Sequence, residues 1–231
     1  MSAPTRPARK IPPLQSGDRL TRDEFERRYH AMPGVKKAEL IEGEVYIPSP
    51  VSHEFHGGPH TDATSWLGVY RASTPGVDAG DNSTVRLDTD NEPQPDVLLF
   101  IQPDRAGRVT LDDGYITGAP ELVFEVSAST ASLDLGKKLN VYRRNQVSEY
   151  VVWRVYDDAI DWFVLRDAQF DRLAPDPADG LYKSETFPGL WLDAAALARR
   201  DLAAVLAALG RGLASPDHAA FASALAARRP V

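Results

Sequence analysis

The chain contains no cysteine, which excludes disulfide bonds, thiolate nucleophiles and zinc sites built on cysteine. It also has no apolar run that approaches the roughly 20 residues of a membrane-spanning helix. The N-terminal residues 1–13 carry basic side chains, but no apolar stretch follows them as it would in a signal peptide. These absences predict a cytoplasmic protein.

Two glycine-rich phosphate-binding motifs are missing as well. Neither G-x-G-x-x-G nor G-x-x-x-x-G-K-[ST] occurs, so we expect no dinucleotide site and no P-loop. Positive charge is also scarce, because 26 Lys and Arg stand against 33 Asp and Glu for a net charge of −7. Proteins whose main task is to grip a phosphate backbone are usually basic. An enzyme that touches nucleic acid briefly remains open, since carboxylates awaiting a metal ion would themselves add negative charge.

The length and composition are those of one folded domain with extensions. The chain has 231 residues, of which 43% are hydrophobic and 9% aromatic, enough for a substantial core. Residues 1–17 contain four prolines and few apolar side chains, which predicts a flexible tail. We expect the domain to cover residues 18–195 and a helical extension, rich in Ala and Leu, to cover 196–231.

Apolar periodicity and turn signals predict helices and strands in alternation. The expected helices cover residues 20–32, 51–72, 127–145 and 197–209. The expected strands cover 37–47, either as a hairpin around Glu42 and Gly43 or as one strand bent at Gly43, 76–87 as a strand pair, 97–101, 122–126, and 149–155 with 160–165 as a further hairpin. Thr21 and Glu24 have the spacing of a capping box at the first helix. This order predicts an α/β (α+β) fold, a mixed β-sheet flanked by helices with extra β-hairpins.

Two acids stand in or beside apolar strand sequences. Asp96 precedes V-L-L-F-I, and Glu125 lies inside L-V-F-E-V. A carboxylate in an apolar strand is costly to bury unless it binds a cation or a partner. If the two strands pair, both acids reach one place and offer the hard oxygen ligands of a divalent-metal site. The alternatives are that Asp96 caps the turn after Pro95 and that Glu125 faces solvent.

Three histidines, His53, His56 and His60, surround the segment G-G-P at 57–59 and raise the question of zinc. Their spacing is not that of a helical pair joined to a third ligand, and Pro59 would interrupt a helix. Structural or solvent-facing histidines are the favoured interpretation.

Six motifs follow one another along the chain. They are E-L-I-E-G-E at 39–44, S-P-x-S-H at 49–53, P-D-V at 95–97, P-E-L-V-F-E-V-S at 120–127, D-x-x-K-K-L-x-x-Y at 134–142 and V-S-E-Y-V-V at 147–152. In this order they resemble the Uma-type family of restriction-endonuclease-like proteins, within the PD-(D/E)XK nuclease superfamily. The resemblance covers about residues 20–186 and implies a restriction-endonuclease-like core.

The resemblance also implies a set of site residues. Asp96 and Glu125 match the family's metal-binding acids, and the carbonyl of Val126 would join them on one Mg²⁺ or Mn²⁺ ion. The superfamily signature expects a lysine where this chain has Ser127. The family instead takes a lysine from the following helix, which here is Lys138, to orient the attacking water and stabilise the transition state.

Three further residues match family positions less closely. Lys137 is the weaker candidate for the helix lysine, and Asp134 with Lys138 could be only a surface ion pair. Glu39 matches an early acid that reaches the metal directly or through water, although acids of a hairpin usually face solvent. His53 matches a histidine that orients substrate or a ligand.

The implied activity is metal-dependent hydrolysis of phosphodiester bonds, with DNA as the expected substrate. Two other classes of function stay open: a nuclease fold that has lost catalysis and serves as a binding or assembly module, and a metal-dependent hydrolase of another substrate. The C-terminal helix and the strands after Tyr150 could form the face of a homodimer, which would suit an enzyme that cuts two strands.

Overall fold

A computed structural model describes residues 10–48, 50 and 52–228 of the chain. Its helices are α1 (Arg22–His30), α2 (Gly58–Ser73), α3 (Ala131–Leu133), α4 (Leu139–Arg144), α5 (Ala194–Ala198), α6 (Leu202–Leu213) and α7 (Pro216–Ala227). Its strands are β1 (Glu39–Ile41), β2 (Glu44–Tyr46), β3 (Val77–Asp81), β4 (Val85–Arg86), β5 (Val97–Ile101), β6 (Thr110–Asp112), β7 (Tyr115–Thr117), β8 (Leu122–Ser127), β9 (Glu149–Arg154), β10 (Ala159–Arg166), β11 (Gln169–Arg172), β12 (Tyr182–Lys183) and β13 (Trp191–Leu192).

A six-stranded sheet forms the centre of the molecule, in the order β11-β10-β9-β8-β5-β3. Strands β8 and β9 are parallel, and all other neighbours in this sheet are antiparallel. The parallel pair needs a crossover connection, which the helical segment 131–144 provides. The mixed sheet with helices around it confirms the predicted fold class.

The central strands are covered on both faces because successive side chains point to opposite sides of a sheet. On one face, Trp66 of α2 meets Phe124 and Trp162, and the ring centroids of Trp66 and Trp162 lie 6.0 Å apart. On the other face, Val123 of β8 belongs to the cluster around Tyr142 of α4. All six residues of β8 are therefore buried, so an acid in this strand has to be satisfied inside the protein.

The N-terminal part forms a smaller unit of α1 and the β1–β2 hairpin. Of the two arrangements expected for this segment, the structure contains the hairpin and not the single bent strand: Glu42 and Gly43 take left-handed backbone angles (φ 53° and 72°), as a two-residue turn of the primed type requires. Phe25 and Leu40 are buried in this unit together with Leu14. Leu14 lies in the expected flexible tail, of which residues 1–9 are outside the described part.

Two local expectations are wrong. The capping box is absent, because the Thr21 side chain makes no cap hydrogen bond and the Glu24 carboxylate instead accepts from Arg27 and Arg28 at 2.7 and 2.6 Å. The expected strand pair at 76–87 splits between two sheets: β3 pairs with β5, and β4 pairs with β7 in a three-stranded sheet of β4, β7 and β6. Asn82 (φ 48°) turns the chain between them.

Two predicted helices are less regular than expected. The helix at 51–72 begins with a π-helical turn, His53–Gly57, and α2 starts at Gly58. Pro59 does not interrupt it, because a proline in the first turn lacks only an N–H that would have had no helical partner. The helix at 127–145 consists of α3, a π-helical turn Asp134–Lys138 and α4.

Helices α5, α6 and α7 contribute side chains to the core cluster on one face of the central sheet. The helix expected at 197–209 starts at Leu202, since Arg200 takes a left-handed angle (φ 61°) and pairs with Asp62 of α2. Val205 and Leu209 of α6 then enter the core. Within the described residues, no helix combines the length and apolarity that crossing a bilayer requires.

Candidate active site

A cavity of about 910 Å³ lies beside the starts of β1 and β5 and the end of β8. It brings together all but one of the residues that the sequence predicted for the site. They are Glu39, Asp96, Glu125, Val126 and Lys138. His53 is exposed and does not line the cavity.

The pairing of β5 with β8 joins the two acids. Val97 is opposite Phe124 in this antiparallel pair, so Asp96 reaches the level of Glu125. The Asp96 backbone nitrogen lies 3.4 Å from Oε2 of Glu125, and the Val126 N–H donates to Oδ2 of Asp96 at 2.8 Å. Both carboxylates are buried. The convergence expected from two neighbouring strands is therefore present.

Asp96 is held in its ionised form. Burial alone would raise the pKa of this carboxyl, but His56, Lys37 and the Val126 N–H outweigh burial and lower the pKa well below its usual range. Lys37 Nζ lies 3.3 Å from Oδ1 of Asp96, and His56 Nε2 lies 3.5 Å from the same oxygen. Asp96 thus carries a full negative charge at the floor of the cavity.

Glu125 differs from Asp96 in its electrostatics. Burial raises the pKa of this carboxyl to about 8; Lys138 opposes the rise, and the negative charge of Asp96 adds to it. Its Oε1 accepts from Lys138 Nζ at 3.0 Å and from the Tyr142 hydroxyl at 3.1 Å. Among the described residues, the only hydrogen bond to Oε2 is the long one from the Asp96 backbone. One oxygen of Glu125 is anchored, and the other has capacity for a further cation.

Lys138 is an internal cation enclosed by carboxylates. Its Nζ lies 3.0 Å from Oε1 of Glu39, 3.0 Å from Oε1 of Glu125 and 3.7 Å from Oδ1 of Asp134, and its side chain is only 4% exposed. Burial alone would lower the pKa of this ammonium, but these three acids raise it well above its usual value. Lys138 is therefore charged, and its contacts hold Glu39 and Glu125 in place.

Lys137 takes no part in this cluster. Its Nζ contacts Oε2 of Glu44 at 2.8 Å and the Tyr46 hydroxyl at 2.9 Å, both on the β1–β2 hairpin. Of the two adjacent lysines, Lys138 is the one that the fold brings to the acids. Ser127 is buried, with its Oγ 3.4 Å from Oγ1 of Thr130.

Three residues that line the cavity were not predicted for the site: Lys37, which nothing in the sequence singled out, and His56 and His60, which were interpreted as structural or solvent-facing. Lys37 lies in the loop before β1, where nothing distinguished it from a surface lysine. His56 Nδ1 lies 3.1 Å from the Val126 carbonyl oxygen, and His60 Nε2 lies 3.0 Å from the Asp96 carbonyl oxygen. The signal available for the histidines was their spacing of four residues, which places them on one helix face and here stacks their rings 5.8 Å apart.

The donor atoms of the site fit a hard divalent cation. In the described part of the chain, no group of three or more His, Asp or Glu side chains is arranged to hold a metal ion. Asp96, Glu125 and the Val126 carbonyl form a smaller set, consisting of oxygen atoms such as Mg²⁺ prefers. The Lys37 ammonium already contacts this set; burial alone would lower its pKa, but the acidic residues Asp96, Glu39 and Glu125 together raise it. A positive charge is stabilised where the predicted ion would bind.

Comparisons with known proteins give two findings. The model of the Uma2 family, described as "Putative restriction endonuclease", matches residues 22–195. The fold is similar to a crystal structure of a "putative nuclease belonging to DUF820" from Anabaena variabilis ATCC 29413, with a TM-score of 0.51 and 15% sequence identity over 74% of this chain and 97% of that chain. No curated protein matches the sequence.

Proposed function

This chain belongs to the Uma2 family of restriction-endonuclease-like proteins, and we propose that it hydrolyses phosphodiester bonds of nucleic acid with the help of Mg²⁺ or Mn²⁺. One observation carries the proposal: two buried acids from neighbouring strands, Asp96 and Glu125, meet at the floor of a cavity beside lysine ammonium groups. DNA is the substrate that we infer.

The metal ligands in this proposal are the carboxylates of Asp96 and Glu125 and the carbonyl of Val126. A bound divalent ion would polarise the phosphate group and lower the pKa of an attacking water. His56 supports this arrangement, because its two ring nitrogens contact the Val126 carbonyl and the Asp96 carboxylate. Such outer contacts fix the direction in which a ligand presents its oxygen.

Lys138 and Lys37 have different roles in this proposal. The resemblance assigns both water orientation and transition-state stabilisation to Lys138. Because its ammonium bridges Glu39 and Glu125, we propose that Lys138 orients these carboxylates and, through them, the water. Lys37 has a 25% exposed side chain that lines the cavity, so we propose that it contacts the phosphate and stabilises the negative charge of the transition state.

Calorimetry and cleavage assays on isosteric variants test the proposal. Titration of Mn²⁺ or Mg²⁺ into the wild type should reveal one ion per chain, and the Asp96→Asn, Glu125→Gln double variant should lose it. Cleavage of single- and double-stranded oligonucleotides should require the metal and disappear in each single variant. Asp78→Asn is the matched control, since this half-buried acid of β3 lies outside the cavity.

If the free protein binds no metal, the titration is repeated with an uncleavable oligonucleotide, since substrate phosphate often completes a Mg²⁺ site. Metal-dependent cleavage that persists in folded Asp96→Asn protein would contradict the assignment. Nucleic-acid binding without metal binding or cleavage would support an inactive binding module instead.

A further inference from the structure

An aromatic pair lines the same cavity as the acids. Phe55 lies in the π-helical turn before α2, and Tyr156 lies in a short 3₁₀ turn, Val155–Asp157, directly after β9. Their ring centroids are 4.8 Å apart and their planes are tilted by 45°. Both side chains line the cavity together with Asp96 and Glu125. The cavity therefore combines charged and aromatic groups.

Tyr156 presents its ring to solvent. The residue is 61% exposed, and it is the aromatic member of the exposed large apolar residues in the described part of the chain. The others are Ile11, Val69 and Leu111, none of which lines the cavity. A solvated aromatic ring is unusual in this protein, and it occurs at the candidate site.

The fold places the Tyr156 ring in the same cavity as the acids, beyond the end of the strand that neighbours Glu125. In the parallel pair of β8 and β9, Glu125 is opposite Val152 and Ser127 is opposite Arg154. Tyr156 follows two residues after the end of β9, so it lies just beyond the strand next to Glu125. A group held at the acids and a flat group resting on Tyr156 can thus belong to one ligand.

We propose that Tyr156, supported by Phe55, stacks on an unpaired nucleobase next to the scissile phosphate, so that the preferred substrate is single-stranded nucleic acid. This inference rests on the proposed phosphodiesterase function. In a duplex, each base is stacked and paired, and proteins reach its faces only by taking it out of the stack. A solvent-facing ring in a cavity therefore suits a base that is already unpaired.

The charge of the protein points to the same substrate. With a net charge of −7, the chain has no excess of basic residues to neutralise many duplex phosphates, which is the main source of duplex affinity. Stacking on an aromatic ring adds affinity for single strands that is independent of base sequence, about 5- to 150-fold per base. The aromatic pair therefore supplies binding affinity that the net charge of the protein does not provide.

Fluorescence anisotropy on the full chain tests the inference. The probes are a labelled, uncleavable phosphorothioate single strand and its matched duplex, each with Mg²⁺. We expect the wild type to bind the single strand more tightly, and Tyr156→Leu to weaken that binding by about 5- to 150-fold while duplex binding stays unchanged. Tyr156→Trp should retain the affinity, as should Leu111→Ala, which removes an exposed apolar side chain elsewhere. A 2-aminopurine in the strand should be quenched by the wild type and not by Tyr156→Leu.

Three outcomes overturn the inference. Unchanged single-strand affinity in Tyr156→Leu removes the stacking role and leaves the proposed function intact. An equal loss of affinity for strand and duplex assigns Tyr156 to general contact and also leaves the proposed function intact. If the wild type binds neither probe and cleaves neither substrate, the proposed function fails together with the inference.

Discussion

Replacement of Lys138 by Met should destabilise the protein more than any other single lysine change in the site. The methionine keeps most of the buried volume and removes the ammonium group. Glu39, Glu125 and Asp134 then lose the cation that lies within 3.0 to 3.7 Å of each of them. Because all three side chains are almost fully buried, water cannot replace the lost charge.

The magnitude follows from the cost of breaking a buried ion pair, about 3–5 kcal/mol when one partner is removed. Protonation of Glu125 relieves part of this cost, because burial has already raised its pKa to about 8, well above the usual value of a glutamate. A group with a raised folded-state pKa contributes stability that is fully present below its unfolded pKa and is lost as pH rises through the folded value. Without Lys138 the pKa of Glu125 rises further, so the deficit of the variant should grow as pH rises through about 8.

Urea unfolding followed by tryptophan fluorescence measures this effect in the wild type, Lys138→Met and Lys137→Met. Lys137 is the matched control, since it adjoins Lys138 in sequence but is 40% exposed and pairs with Glu44 and Tyr46 of the hairpin. Its replacement should move the unfolding midpoint slightly. Equal stability of the two variants, or a deficit of Lys138→Met that shrinks with rising pH, would refute the reasoning.

Three other perturbations have defined outcomes. Lys37→Met should tighten Mn²⁺ binding about tenfold, or about 1.4 kcal/mol, because it removes an ammonium 3.3 Å from Asp96 that competes with the ion. The rate of cleavage should fall in the same variant. Calorimetry that finds weaker Mn²⁺ binding would contradict this prediction. The metal affinity of the wild type should rise by up to about tenfold per pH unit below about pH 8, because Glu125 must release its proton before it binds the ion. A metal affinity that calorimetry finds independent of pH would argue against Glu125 as a ligand. Glu149→Ala should lower the free energy of unfolding in urea by at least about 3 kcal/mol. The reason is that this buried carboxylate accepts from Trp162 Nε1 at 2.9 Å and from the backbone N–H groups of residues 185 and 186. A decrease as small as that for a surface acid would show that these donors find other partners.

The sequence was sufficient where local patterns decide the structure. The apolar runs beside Asp96 and around Glu125 predicted two buried strands, and the cost of a buried acid predicted that the two would meet. At Glu42 and Gly43 the sequence allowed a hairpin or a strand bent at Gly43, and the structure contains the hairpin, with both residues in the left-handed region. These features depend on a few neighbouring residues, and the structure contains each of them.

The remaining features depend on distant parts of the chain. The strand pair expected at 76–87 failed because β3 and β4 find their partners in other segments, which no local pattern specifies. His56 contacts Asp96, whereas His53 is exposed. These two histidines are three residues apart in a π-helical turn, so the sequence alone does not decide which of them faces the site. Lys37 lies in a loop, so only the assembled structure reveals its contact with Asp96.

The crossover from β8 through α3 and α4 to β9 has a consequence for how the site is assembled. Glu125, Lys138 and Tyr142 belong to this one continuous stretch, and Tyr156 follows two residues after its end, so their mutual positions follow from contacts within a single supersecondary unit and the turn after it. Asp96 and the hairpin acids arrive from earlier in the chain. The site is thus made of two chain segments that meet across the β5–β8 pairing. An ion bound by both Asp96 and Glu125 would link these segments and stabilise their contact.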